Sequence, residues 1–530
     1  MTDKIKTAVE MAKEQRAISV AEFFEKNRHL LGFDNPTKSL LTVVKEAVDN
    51  ALDACEEANI LPDIDVDIKQ LEENRYQVTV EDNGPGILRE QIPKIFAKLL
   101  YGSKFHRLRQ SRGQQGIGIS SSVLYSQLTT GYPAVIYSKP KAKGKTHVFH
   151  LKIDTIKNEP EIIKEDLIDD GMKHTGTKII MILEGKYIQR YHSADEYLKQ
   201  TAIVNPWAHI TYKSPIGEKF DFPRVINKLS KRPKEIKPHP YGVELGILIR
   251  MLKNTKSRNL SGFLQNEFCR IGSTSSEEIC RLAALKPEDN PKNLDHKAQQ
   301  NLIKAMQRVK LMRPPTDCLS PIGDKLLEQG ISKEINAEFV TTITREPSVY
   351  RGIPFQIEAG LAYGGELKEK KNEEGKSDQV KVMRFANKIP LLYEPSGCSI
   401  TKSISSIKWR RYGLEQSSGS IPRGPAIIAV HIASAWVPYT SESKESIANY
   451  PEIIKEMKLA LQDCARKMLR HIRKQTKVKR ETERLNIFES YIPLIIENAK
   501  ELAEVKTKID AKPIIDKVIK KDLIEYGKKR

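Results

Sequence analysis

The chain has 530 residues, 29% of them charged and 39% hydrophobic, which is too long for one core and balanced like a multidomain globular protein. With 88 Lys and Arg against 68 Asp and Glu, its formal net charge of +20 favours a polyanionic partner. No apolar run approaches the ~20 residues that span a bilayer, no secretory signal opens the chain, and the six cysteines (Cys55, Cys269, Cys280, Cys318, Cys398, Cys464) lack CxxC spacing; the expectation is buried thiols in a reducing, cytoplasmic setting, with no membrane partner.

Residues 1–36 hold a polar, helix-like opening and then ISVAEFFEKNRHLLGF, an aromatic and leucine cluster that needs a surface. That surface is either the same domain's core or a partner subunit. Asn35 before Pro36 predicts a helix start. At ~100° per residue, Leu40, Val44, Ala47, Val48, Ala51 and Cys55 fall on one broad apolar face. Glu46, Asn50 and Asp53 gather on the other side within roughly 60°. A solvated face would mix Lys and Glu; two carboxylates and an amide one turn apart look like a site.

IDVDIKQ and RYQVTVEDNG alternate as strands. The second runs into Asp82-Asn83-Gly84-Pro85-Gly86, which serves either as a turn or as backbone brought close to a ligand beside one carboxylate. A basic stretch from Tyr101 to Arg112 leads into Gly113-Gln114-Gln115-Gly116-Ile117-Gly118-Ile119, opening a small-residue helix near Ser120. Glycines at a helix start let free N–H groups and the positive end of the dipole approach phosphate. Neither GxxxxGK[ST] nor a strand-linked GxGxxG is present. Ser103, Lys104 and Arg112 add donors suited to a triphosphate.

In this order, ExxxNxxDA, DNGPGI, the basic lid with GxxGIG, and His174-Thr175-Gly176-Thr177 resemble the Bergerat-fold (GHKL) ATPase superfamily of gyrase B, Hsp90, MutL and the histidine kinases. VAEFFEKN, GFDNPTKSLLTVVKEAVDNALDA, RYGLEQ and the run at 237–242 are similar to the B subunits of type IIB topoisomerases (topoisomerase VI), over about residues 18–470. The resemblance implies ATP and Mg²⁺. Glu46 matches the general base and Asn50 the Mg²⁺ ligand. Asp82 matches the reader of the adenine amino group, with Thr177 in support through water. Ser103 and Lys104 match lid contacts, and Arg112 to Ile119 the phosphate-wrapping loop. The lid is expected to be loose when empty and ordered by ATP, letting two copies dimerise with residues 1–36 crossing over as straps.

Basic residues among prolines at 223, 233, 238 and 240 read as a linker. GVELGILIRMLKNTKSRNLSGFLQNEF, CRIGSTSSEEICRLAAL and DHKAQQNLIKAMQRVKLM are helix-length amphipathic segments; Ile271-Gly272 resembles a helix–two-turns–helix step, and the module either holds DNA phosphates or is a plain helical insertion. FVTTITREPSVY, PFQIEAGLAYGG, MRFANKIPLLY and AIIAVHIASAWVPYT read as strands, and GELKEKKNEEGKSDQ as a charged hairpin loop. Lys444, after the last strand, matches the switch lysine of gyrase-like transducers, reaching the γ-phosphate. Trp409-Arg410-Arg411-Tyr412 resembles a W-K-x-Y element linked to DNA contact, with Arg in place of Lys. A helical stripe from Ile453 to Ile472 predicts a long helix, and the apolar cluster from Tyr491 to Ile496 either docks another subunit or packs back on the chain.

The expected fold is α+β and multidomain: an N-terminal strap (1–36), a Bergerat-fold ATPase α/β sandwich (37–236), a helix–two-turns–helix domain (237–315), a transducer (316–450), a stalk helix (451–485) and a segment docking the A subunit (486–530). The implied function is the ATP-hydrolysing B subunit of an A2B2 heterotetramer. In it, ATP-driven dimerisation passes one DNA duplex through a double-strand break made by the A subunit, which carries the cleaving tyrosine. The alternative is a MutL-like or Hsp90-like clamp without a cleavage partner, which the helical segments between ATPase and transducer disfavour. A histidine kinase fails on order, since neither His29 nor His106 suits a phosphoacceptor helix ahead of the ATP motifs.

Overall fold

The computed structural model describes residues 7–104, 107–113, 115–169, 171–189, 192–368, 378–503, 510 and 512–513. The helix Pro36–Glu57 begins as its sequence dictates: Asn35 accepts from the Lys38 N–H at 2.9 Å and Pro36 takes the first turn. Leu40, Val44, Ala47, Val48, Ala51 and Cys55 are all buried. So are Lys38, Asp49 and Asp53, because the chain closes over the polar side as well.

This helix lies on an eight-stranded sheet of β1 (Asp63–Glu72), β2 (Arg75–Asp82), β3 (Ala134–Lys139), β4 (Thr146–Asp154), β5 (Glu159–Ile168), β6 (Gly176–Glu184), β7 (His209–Lys213) and β8 (Lys219–Phe222). The order is β5-β4-β3-β6-β2-β1-β7-β8, antiparallel except for β1 beside β7. β2 alternates strictly between buried and half-buried residues, and its last residue, Asp82, is delivered to the sheet end under the helix. The early aromatic cluster divides. Ala21, Leu31 and Phe33 are buried in this core and Val20 and Phe24 pack against it, while Val9, Met11, Ile18 and Phe23 stay exposed.

Beyond the linker, the helices Leu245–Asn254, Leu260–Glu267, Ser273–Ala283 and His296–Arg308 enclose a separate core around Phe263, Phe268 and Leu302. The first expected segment is thus two helices, parted at Thr255–Asn259, where Asn259 caps the second by accepting from the Gly262 N–H.

The third core forms around β9 (Phe339–Thr344), β10 (Ser348–Tyr350), β11 (Ile353–Tyr363), β12 (Lys381–Ala386), β13 (Ile389–Pro390) and β14 (Ala426–Ser434), ordered β10-β11-β14-β12-β13 with β9 also on β11. Two strand readings need correction. FVTTITREPSVY is broken at 345–347, a gap that ends on Pro347, into β9 and β10. MRFANKIPLLY is a tight hairpin turning at Asn387 and Lys388, both with positive φ. All nine residues of β14 are buried, since helices cover both faces. Of the expected charged hairpin loop, 369–377 lies outside the described residues.

The long helix is Pro451–Leu502, 52 residues, and does not stop at 485. Pairs at i,i+4 such as Lys477–Glu481 and Lys479–Glu483 carry it onward. Met457, Leu461, Cys464 and Met468 bury its first half against the sheet, whereas Ile487, Tyr491, Leu494 and Ile495 are exposed. Among the described residues no helix is long and apolar enough to cross a membrane.

Candidate active site

A cavity of about 550 Å³ opens between the helix Pro36–Glu57, the ends of β2 and β6, and the glycine-rich loop. Its inner end is apolar, lined by Ala54, Val80, Ile87, Ile95, Phe96 and Ile179; its outer end carries Glu46, Asn50, Ser103, Lys104 and Lys444. That polarity suits a ligand with a flat base at one end and charge at the other.

Asp82 stands at the inner end, 7% exposed. Its Oδ1 accepts from the N–H groups of Gly84 (2.8 Å) and Thr177 (3.2 Å), and no donor among the described residues reaches Oδ2. Burial raises its pKa to about 6 against the pull of those two N–H groups. Two glycines make the approach possible. A Cβ on Gly176 (φ 150°) would lie 1.9 Å from the Asp82 carbonyl oxygen, and one on Gly86 (φ 69°) 2.6 Å from that of Lys139.

At the outer end, the helix Gly118–Thr130 starts two residues before the expected Ser120 and has no side-chain cap, so its first N–H groups are free for a ligand. Glu46 lies hard against it: a Cβ on Gly118 would sit 1.8 Å from Glu46 Oε2. Asn50 is exposed one turn on, with Nδ2 donating to the Glu46 carbonyl at 2.8 Å and Oδ1 3.7 Å from the position of a Gly113 Cβ. Gly113, Gln115, Gly116, Gly118, Ile119 and Thr177 also line the cavity; Gln114 lies outside the described residues. Ile117 instead points into the core, and Arg112 turns away from the cavity, 4% exposed. Arg112 donates to Asp53 (2.9 Å), twice to Glu56 (2.7 and 3.0 Å) and to Asn205. The reason is charge: two carboxylates one turn apart outbid the cavity for a guanidinium.

Asp53 also departs from expectation. From the helix it anchors the lid rather than facing the open site, accepting from Lys104 (2.7 Å) and the Gly113 N–H (3.2 Å), while Lys104 also pairs with Glu57 (3.3 Å). Burial pushes the Asp53 carboxyl up, but Lys104 and Arg112 outweigh it and hold the group well below the usual carboxylate range.

Lys444 arrives from the end of the third domain, with a left-handed backbone (φ 55°) and a buried side chain. Its Nζ donates to the Arg112 carbonyl at 3.2 Å, at the rim of the same cavity. Neighbours that sequence reading passed over hold its loop. Lys45 donates to the Ser443 carbonyl (3.1 Å), and Lys38 pairs with Glu445 (2.6 Å). No local pattern marks pairs about four hundred positions apart.

Trp409 is buried and donates to the Ile404 carbonyl, while Arg410 and Arg411 face solvent.

Comparisons with known proteins agree with this architecture. Residues 35–155 match the family model of the histidine kinase-, DNA gyrase B- and HSP90-like ATPases, and residues 314–484 that of the topoisomerase VI B subunit transducer. The chain is 48% identical over 524 residues to the B subunit of type 2 DNA topoisomerase 6 from Methanosarcina barkeri, covering 99% of this chain and 83% of the relative. It is 46% identical over 511 residues to its counterpart from Archaeoglobus fulgidus, covering 96% and 82%. With an ATPase cavity at one end of the chain completed by a lysine from a transducer at the other, and likeness along nearly its whole length, this chain belongs to the family of topoisomerase VI B subunits.

Proposed function

We propose that the cavity binds ATP and that its hydrolysis gates the passage of one DNA duplex through a break made in another by a topoisomerase VI A subunit, relaxing supercoils and decatenating DNA. The observation that carries this reading is that Glu46 and Lys444, from opposite ends of the chain, line one cavity. Asp82 Oδ2 accepts from the adenine amino group, with Thr177 in support. The N–H groups of Gly113, Gln115, Gly116, Gly118 and Ile119, with Ser103 and Lys104, surround the phosphates. Glu46 orients the attacking water and takes its proton as the γ-phosphorus–oxygen bridge to ADP breaks. Lys444 contacts the γ-phosphate, so the transducer holds one position before cleavage and another after.

Among the described residues no group of three His, Cys, Asp or Glu side chains could hold a metal. An exposed amide beside a phosphate cradle still fits Mg²⁺, which takes one or two protein oxygens and completes its shell with phosphate and water. Asn50 would hold it, and it would neutralise phosphate charge.

ATP closes two copies of the chain into a clamp, with the opening segment around the exposed Val9, Met11 and Ile18 reaching the partner and the exposed end of the long helix docking the A subunit in an A2B2 assembly. Double-stranded DNA is bound through backbone contacts by the basic helical domain and by Arg410 and Arg411.

The test replaces Glu46→Ala. Turnover should fall by about 10²–10⁴-fold, while dimerisation driven by a non-hydrolysable nucleotide, read by light scattering, should persist. If both vanish or neither changes, the role is wrong. Reconstitution with the A subunit and a supercoil relaxation assay tests the wider reading.

A further inference from the structure

The turn Asn387–Lys388 has no part in the mechanism above, yet both of its residues are buried and bonded to several neighbours. It joins β12 to β13 with φ of 48° and 67°. Two-residue hairpins of this kind favour glycine at the second position, and lysine is a poor choice for turn-making alone. Its side chain is 3% exposed. Nζ donates to Ser230 (2.8 Å) on the linker and Ser320 (3.0 Å), and lies 4.6 Å from the Trp207 ring centre. Among the described residues no carboxylate forms an ion pair with it. Taking a cation out of water without a paired anion is costly, and such costs gather at working parts of proteins.

The turn's other bonds say what it works on. Asn387 Nδ2 donates to the carbonyls of Ser111 (3.1 Å), at the root of the lid, and Ser434 (3.0 Å), at the end of β14. The Lys388 carbonyl accepts from Asn205 Nδ2 (3.3 Å), and Asn205 Oδ1 in turn accepts from Arg112. The Lys388 N–H donates to His431 Nε2 (2.9 Å), whose Nδ1 bonds Glu358 (2.7 Å) across the buried sheet. A cavity of about 60 Å³ separates the turn from Asp53 and Glu56. The lid root and the sheet centre are thus joined through two residues, apart from Lys444.

We infer that Asn387–Lys388 is a second sensor by which the transducer reads the lid, with Asn387 bonded to Ser111 and Lys388 the positioning residue that ties the turn to Ser320, whose backbone N–H and carbonyl pair with the Gln110 side chain at the lid root. The inference rests on the ATP-gated reading above. When Lys104 and the Gly113 N–H exchange Asp53 for phosphate, Ser111 and Arg112 shift, and the turn carries that shift into β12 and β14. Lys388 itself touches no nucleotide.

The experiment uses the full chain reconstituted with its A subunit and measures supercoil relaxation per ATP hydrolysed, from pH 7 to pH 9. Lys388→Met should keep ATP turnover within about threefold and lose at least tenfold in relaxation per ATP; Lys388→Arg should retain the coupling. Burial lowers the Lys388 pKa to about 8, so wild-type coupling should fall across this range, while the Arg variant stays level. Among the described residues, the charged and titratable groups around it are Asp53, Glu56 and Glu57 on the helix, Arg109 and Arg112 on the lid, Glu358 on β11, His431 on β14, and Arg232 with the Lys231–Asp317 pair on the flanking segments. Should the Met variant not fold, the wild-type and Arg profiles decide. Equal losses of turnover and relaxation in the Met variant, or a level wild-type profile, would overturn the inference. A wild-type complex that hydrolyses ATP without relaxing DNA would instead overturn the topoisomerase reading, and this inference with it.

Discussion

The two ends of the nucleotide cavity are built on opposite plans. At the inner end Asp82 is fixed by backbone: a sheet terminus, two N–H donors and glycines that admit no side chain. At the outer end the groups are fixed by exchangeable charge. Lys104 and Gly113 hold Asp53, and Arg112 holds both Asp53 and Glu56. On the proposed reading, the Asp82 end is a preformed base pocket that orders nothing on binding, so recognition of the base costs little entropy. On the same reading, a lid held by ion pairs trades them for phosphate, and the charge of the ligand decides its position.

That contrast can be broken most severely at Gly118. Gly118→Ala places a methyl where Glu46 Oε2 now sits; turnover should fall on the order of 10²-fold, as for a displaced catalytic group, with nucleotide affinity, read by calorimetry, changed little. Loss of affinity with turnover intact would mean that Glu46 is not the base. Next, Asp82→Asn should weaken ATP and ADP binding alike by about 10–100-fold, the range of a hydrogen bond to a charged group. Lys104→Met should act on the other plan, weakening ATP about tenfold and ADP less, because it removes charge near the terminal phosphates. If the two nucleotides suffer equally, the two ends are not separate.

The smallest effect is in pH. Asp82 titrates near 3.8 unfolded and near 6 in place. A raised carboxyl stabilises the fold below pH 3.8, and that contribution is lost as pH rises to about 6. Binding runs the other way, since the ionised group is the better acceptor. ATP affinity should therefore rise several-fold between pH 5.5 and pH 7.5. Subtracting the Asp82→Asn profile removes the titration of the nucleotide's own phosphates.

What the sequence made legible follows the same division. Asn35-Pro36, the apolar face from Leu40 to Cys55, the alternation in β2 and the glycines after Asp82 are local patterns, and local stereochemistry suffices to build them. The lid end rests on partners 50 to 60 positions apart, and the Lys444 loop on partners across the whole chain. Residue types alone mark Arg112 as a phosphate ligand, yet two carboxylates at the right helical spacing claim it first. The hairpin at Asn387–Lys388 was hidden because lysine is an unusual second turn residue, and the strand pattern runs through it unbroken.

Under the proposed gating, the helix Pro451–Leu502 would make the transducer a mechanical amplifier. It is clamped along its first half, and the 30 residues beyond Ile472 extend about 45 Å at 1.5 Å per residue. A tilt of about 5° at its root would sweep its tip through about 4 Å over that length. A sub-ångström rearrangement around a phosphate can thus arrive at the far end as a displacement the size of a side chain.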